Sequence, residues 1–125
     1  MPAAVILLVD AVLVVAFAAI GRRSHDESSA LVGVLTTAWP FLAGIAGGWL
    51  VCLAAWRTVP RSVRLGIPVW LSTVAVGMVL RAATGKGTAP SFVVVATVVL
   101  GVFLLGWRAL ATAVASRRSP SRPAH

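Results

Sequence analysis

Residues 28–56, SSALVGVLTTAWPFLAGIAGGWLVCLAAW, contain no charged side chain over 29 positions. A hydrocarbon layer of about 30 Å needs about 20 helical residues at about 1.5 Å each. The run is therefore long enough to cross a bilayer and too long to cross it upright. It is expected to tilt or bend, with Pro40 as the place for a kink. Nothing else in the chain could cover such a helix in water. Of 125 residues, 59% are hydrophobic and only 11% charged, with 11 Lys and Arg against 3 Asp and Glu, a net charge of +8. Soluble domains carry roughly 25% charged residues. The bilayer must do the covering, and the length leaves no room for an appended catalytic module of ordinary size.

Working outward, three more apolar runs qualify. Residues 3–21 are interrupted only by Asp10. This run reads as a retained span, although Ala16-Phe17-Ala18 imitates a signal-cleavage site: no Lys or Arg precedes it, it is long for a signal core, and it holds an aspartate. The third run, from about Leu65 to Leu80, is short, so Arg81 or the segment after Pro60 must extend it, giving a helix over about residues 65–81. The fourth runs past Trp107 and Arg108, giving a helix over about residues 88–115. Ser24-His25-Asp26-Glu27 has the spacing of a capping box ahead of the second helix. Thr84-Gly85-Lys86-Gly87-Thr88-Ala89-Pro90 reads as a glycine stop followed by a Thr or Pro start. The expected architecture is an all-α, integral membrane four-helix bundle within residues 1–115, with antiparallel neighbours, and a disordered basic tail over residues 116–125.

Orientation follows from the cations outside the spans. Arg57, Arg61, Arg64, Arg108, Arg117, Arg118 and Arg122 gather on one side, seven in all, against Arg22, Arg23, Arg81 and Lys86, four, on the other. Both termini are expected in the cytoplasm, with the chain in the cell membrane. On this arrangement Trp56, Trp70 and Trp107 fall near the cytoplasmic interface, and Trp49 about 10 Å deeper. The basic tail is a topology signal first, with attraction to anionic lipid as a weaker effect.

Helices in lipid approach each other through small residues. Gly33, Thr37, Pro40, Gly44 and Gly48 share one face of the second helix, and Gly66, Trp70, Thr73, Gly77 and Arg81 follow the same rhythm in the third. These faces read as the packing surfaces of the bundle, with Gly44, Gly48 and Gly77 as close-contact points. A groove or pore lined by the same residues, Thr73 included, or a seam between two copies, is the competing use.

Asp10 is the one acid inside a span. Placing Asp at the centre of a membrane helix costs roughly 2.5 to 3.5 kcal/mol on insertion scales, so it needs a partner or a purpose. It lies about 10 Å along the first helix, level with Arg108 at the end of the antiparallel fourth. A structural Asp10–Arg108 pair and a protonatable transport site both fit. Arg81 reads as a snorkelling anchor before an anion ligand. Arg22 and His25 read as part of a solvated loop before a head-group or pH-sensing site. Other chemistries lack their residues. Both histidines, His25 and His125, lie outside the spans, so haem has no axial pair; the sole Lys86 is in a link, so retinal has no anchor; Cys52 is alone, so neither a disulfide nor a thiolate metal site forms within the chain. Gly85-Lys86-Gly87-Thr88 lacks the earlier glycine and the Ser or Thr of a phosphate loop. No catalytic constellation, metal site, cofactor or nucleic-acid partner is expected.

Taken as a set, Asp10, Gly21-Arg22-Arg23-Ser24-His25, Thr37-Ala38-Trp39-Pro40-Phe41, Gly77-Met78-Val79-Leu80-Arg81, Gly85-Lys86-Gly87-Thr88-Ala89 and Gly106-Trp107-Arg108 resemble the prokaryotic membrane family known as domain of unknown function three-zero-five-four, over roughly residues 5–110. The resemblance implies a small four-helix integral membrane protein and no activity. Two functions stay open: proton-linked transport of a small solute or ion around Asp10, or a noncatalytic bundle that assembles with or stabilises a membrane partner, homo-oligomers included. An enzyme acting on lipid is a distant third. The topology is checked by cysteine accessibility: in intact cells an impermeant reagent should label a cysteine placed at Ser28 and spare one placed at Ser62.

Overall fold

The computed structural model of the chain describes residues 2–21 and 30–118. Four helices occupy them: α1 (Ala3–Gly21), α2 (Ala30–Val51), α3 (Val63–Ala83) and α4 (Pro90–Arg118), with a π-helical turn, Cys52–Trp56, closing α2. There are no strands among the described residues. All four helices, counting the turn with α2, are long and apolar enough to cross a membrane. Large apolar side chains such as Leu8, Ile20, Leu50, Val79, Val102 and Leu110 point outward, as a lipid-facing surface requires.

The helices form a ring in which each packs on its two neighbours and diagonally opposite backbones stay apart. The neighbours are antiparallel. Along α2, Phe41, Gly44 and Gly48 meet Gly77, Thr73 and Val69 of α3 in descending order. Trp70 of α3 meets Gly101 of α4, while Gly66, one turn earlier, meets Arg108. Early α1 faces late α4 at Asp10 and Arg108, and late α1 faces early α4 at Phe17 and Phe92.

One stripe per helix is buried: Ile6, Asp10, Val14 and Phe17 on α1, Gly66, Val69, Thr73 and Gly77 on α3, and Ala96, Leu100, Leu104 and Arg108 on α4. Glycine sets the closeness of α2 to α3. A Cβ built on Gly44 would stand 2.5 Å from the Thr73 Cα, and one on Gly48 2.6 Å from the Val69 Cα. On α3, Gly77 makes the hole that receives the Phe41 ring. Towards that end Phe17, Phe41 and Phe92 form a cluster, with Phe17 edge-on to Phe41 at 5.5 Å and 82°.

Several ends differ from the sequence reading. α3 starts at Val63, not at residue 65, because Ser62 accepts the Leu65 N–H at 3.1 Å as its N-cap. It ends at Ala83, beyond Arg81, where Gly85 at φ 76° lets the Lys86 N–H return 2.8 Å to the Arg81 carbonyl. α4 begins at Pro90 instead of residue 88, since proline suits the first helical position and disfavours helix in the residue before it. It then continues to Arg118, so residues 116–118 are helical and not tail; residues 119–125 lie outside the described residues, as does the Ser24–Glu27 capping box. The excess length of α2 is absorbed at its end. The helix runs on through Pro40 and widens at Cys52, whose carbonyl takes the N–H of Arg57 at φ 51°.

Gly44→Ala should lower the thermal midpoint in detergent, because overpacking of about 1–3 kcal/mol exceeds the roughly 1 kcal/mol that alanine gains in helix propensity. Gly106→Ala, with nothing within 4 Å of its new methyl, should leave the midpoint unchanged or raise it.

Candidate functional site

Asp10 sits two turns into α1, fully buried, and its carboxylate accepts four hydrogen bonds. Oδ1 takes Arg108 Nη1 at 2.8 Å and Trp107 Nε1 at 2.9 Å; Oδ2 takes Arg108 Nη2 at 2.8 Å and Trp49 Nε1 at 2.9 Å. A carboxylate has about four lone-pair positions, so each is occupied. The Arg108 fork matches the two oxygens edge to edge, the strongest geometry available to such a pair.

Arg108 is equally enclosed. Its Nε donates to the Pro60 carbonyl at 2.9 Å, and Nη1 also donates to the Leu104 carbonyl at 2.9 Å, one turn back on its own helix. Pro60 is buried in the link between the π-helical turn and α3. Gly66 leaves the passage for the arginine stem: a Cβ there would stand 2.7 Å from Arg108 Cδ. The guanidinium carbon lies 5.0 Å from the Trp107 ring centroid. One ion pair thus ties α1 to α2, to α4 and to the α2–α3 link.

Three tryptophans turn their indole N–H groups into the bundle. Trp107 turns inward to Asp10, Trp49 is buried on the same carboxylate, and Trp70 donates at 2.9 Å to the Thr97 carbonyl against Gly101. An indole N–H in an apolar interior needs an acceptor, and these are the acceptors within reach. Trp56, 53% exposed, does lie on the surface.

The remaining candidates are dispersed. Thr73 is fully buried, its hydroxyl donating 2.6 Å to the Val69 carbonyl of its own helix, so it packs and lines no groove with Asp10. Gly44, Gly48 and Gly77 spend their small size on contacts inside the bundle, which leaves them unavailable as a seam between copies. Arg81 stands at the opposite end beside Phe92. Arg22 and His25 lie outside the described residues. Sequence reasoning placed Gly66 on the packing face of α3 without its fit to Arg108, and missed Trp49 and Trp107 as donors to Asp10 and the Pro60 carbonyl as an acceptor.

Two of the cavities lie at opposite ends of the bundle. One of about 280 Å³, lined by Ile6, Arg61, Trp107, Ala111, Thr112 and Ala115, opens beside the ion pair. The other, about 250 Å³, is bounded by Phe17, Ala18, Gly21, Thr37, Arg81 and Phe92 at the far end. Asp10 lines neither. Among the described residues no group of three His, Cys, Asp or Glu side chains could hold a metal ion.

Removing one member of a buried pair strands the other charge, which costs about 3–5 kcal/mol. Asp10→Asn and Arg108→Gln should each depress the thermal midpoint in detergent, while the double variant falls well short of the summed loss. Additive losses would mean that the two side chains are not coupled.

No curated protein and no solved structure matches the chain. Residues 7–111, most of the chain and all of the residues of the ion-pair cluster, match the family described as Protein of unknown function (DUF3054). With a match of that extent, this four-helix chain belongs to the DUF3054 family.

Proposed function

We propose that the protein is a noncatalytic membrane bundle that works by association, assembling with or stabilising another membrane protein, with the Asp10 cluster as its structural lock. The observation that carries this reading is the saturation of Asp10. It is the one carboxylate side chain among the described residues, and all four of its acceptor positions are taken from within the chain. Among the described residues no second carboxylate and no histidine stands beside it to exchange a proton with a solute. With Arg108 withdrawn into the ion pair, a six-to-four distribution of the remaining cations supports insertion in a cell membrane with both termini in the cytoplasm.

The second reading, proton-linked movement of a small solute or ion gated by Asp10, is favoured by a different observation. α1 supplies a wall of the cavity at each end of the bundle, through Ile6 at one and Phe17, Ala18 and Gly21 at the other. Asp10 is its only charged tie. Opening the pair would free α1 to shift between the two cavities.

An apolar pair separates the readings. Asp10→Leu with Arg108→Met removes both charges together, and such replacements of buried pairs are often neutral or stabilising. The two indole N–H groups lose their acceptor at about 1–3 kcal/mol each, so a lower midpoint is expected but not loss of the fold. If the lock is structural, the folded double variant should complement a deletion strain. If it accumulates and folds yet fails to complement, while Asp10→Glu succeeds, the carboxylate is needed for its proton and transport becomes the better account.

A further inference from the structure

The far cavity holds an arginine whose charge is not spent in the way that Arg108 spends its own. Arg81 Nε and Nη2 both donate to the Gly87 carbonyl, at 3.1 and 2.9 Å, and the guanidinium carbon lies 4.3 Å from the Phe92 ring centroid. These contacts fix the plane of the group and use its Nε edge. They do not neutralise it. Nη1 makes no hydrogen bond among the described residues, and no carboxylate among them pairs with Arg81; the single ion pair described is Arg108–Asp10.

A second, independent feature faces the same space. Thr36, Thr73 and Thr97 each return their hydroxyl to the carbonyl four residues back, at 2.7, 2.6 and 2.7 Å. That is how a helical threonine in an apolar setting satisfies itself. Thr37, next to Thr36 on α2 and lining the Arg81 cavity, makes no such bond. Among the described residues its hydroxyl has no hydrogen-bond partner. The rest of the wall is apolar: Phe17, Ala18 and Gly21 of α1, and Phe92 of α4.

We propose that this cavity binds the oxyanion head of an amphiphile, a carboxylate or phosphate on Arg81 and Thr37, with its hydrocarbon part against Phe17 and Phe92. A fixed guanidinium presents paired N–H groups that suit such a head, and the threonine hydroxyl supplies a further donor. The volume of about 250 Å³ accommodates a head group and the first carbons of a chain, not a whole lipid. The cavity lies where α1 and α3 end, so the head can come from a membrane lipid or from a free amphiphilic anion. The site stands apart from Asp10, and the proposal does not depend on what Asp10 does.

The test is thermal unfolding of the full chain in neutral detergent, because a ligand that binds the folded state raises the midpoint. Octanoate represents a free carboxylate, short-chain phosphatidylglycerol an anionic lipid head, and a neutral alkyl glycoside the hydrocarbon alone. The expected result is a saturable rise with octanoate or with phosphatidylglycerol, the responding probe identifying the source, and none with the glycoside. Arg81→Met should weaken binding about tenfold or more, and the near-isosteric Thr37→Val by several-fold, since each removes a hydrogen bond to a charged group. Should Arg81→Met prove unstable, Thr37→Val carries the test alone. No rise with either anion, an equal rise with the glycoside, or a rise unchanged in Thr37→Val overturns the proposal. So does binding that emerges only in Asp26→Asn with Glu27→Gln, since one of those carboxylates would then be the occupant.

Discussion

The Asp10–Arg108 pair determines where α1 sits. Along Ala3–Gly21 no other side chain is polar, so sliding or rotating α1 in lipid would exchange one apolar surface for another at little cost. Helix association in a bilayer has no hydrophobic drive to resist that. Asp10 removes the degeneracy, because only one depth and one rotation place both carboxylate oxygens on the Arg108 fork while the indoles of Trp49 and Trp107 reach them at 2.9 Å. A buried pair is weak evidence for net stability, since its desolvation can cancel its attraction. Its best-attested use is to specify register, and a featureless apolar helix is where register most needs specifying.

The glycines serve the same specification. Gly44 and Gly48 let the α2 backbone come close to that of α3, which fixes the side of α2 that Trp49 presents to α1. Gly66 is a hole cut for the stem of Arg108, and Gly77 one cut for the ring of Phe41. Each small residue is matched to a particular large one across a helix contact. The bundle is therefore held by shape at one end, through the phenylalanine cluster, and by charge at the other.

The number of helices, their antiparallel order and the Asp10–Arg108 pairing were legible because they depend on charge-free length and on depth. Depth is additive at about 1.5 Å per residue. By the same arithmetic Trp49 lies about 10 Å from its end of α2 and Asp10 about 10 Å along α1, so their meeting was within reach of the sequence. Rotation was not. α1 and α4 are apolar on nearly every side, and which side faces inward is decided by partners elsewhere in the chain. Trp107 was assigned to the interface because tryptophan prefers it, yet beside a buried carboxylate the indole N–H has a stronger claim. Pro40 marked where α2 could bend, whereas the helix widens at Cys52, whose thiol contacts the Leu65 carbonyl and whose following link delivers the Pro60 carbonyl to Arg108. Those are contacts between distant segments, and no local pattern encodes them.

The two buried or half-buried arginines show how a scarcity of acids shapes the molecule. With three carboxylates in 125 residues and two of them adjacent in sequence at Asp26 and Glu27, only one is placed within a helix to meet a cation inside the bundle. It goes to Arg108, the arginine that has no route to water. Arg81, near the end of α3, can be held by weaker means: a carbonyl has a fixed dipole and a phenyl ring a quadrupole, and each orients a guanidinium without cancelling its charge. The Asp10–Arg108 pair is in consequence neutral and enclosed, its polar groups answered within the chain. Arg81 keeps its positive charge against an apolar wall, and the difference between the two arginines is set by where a single aspartate falls along α1.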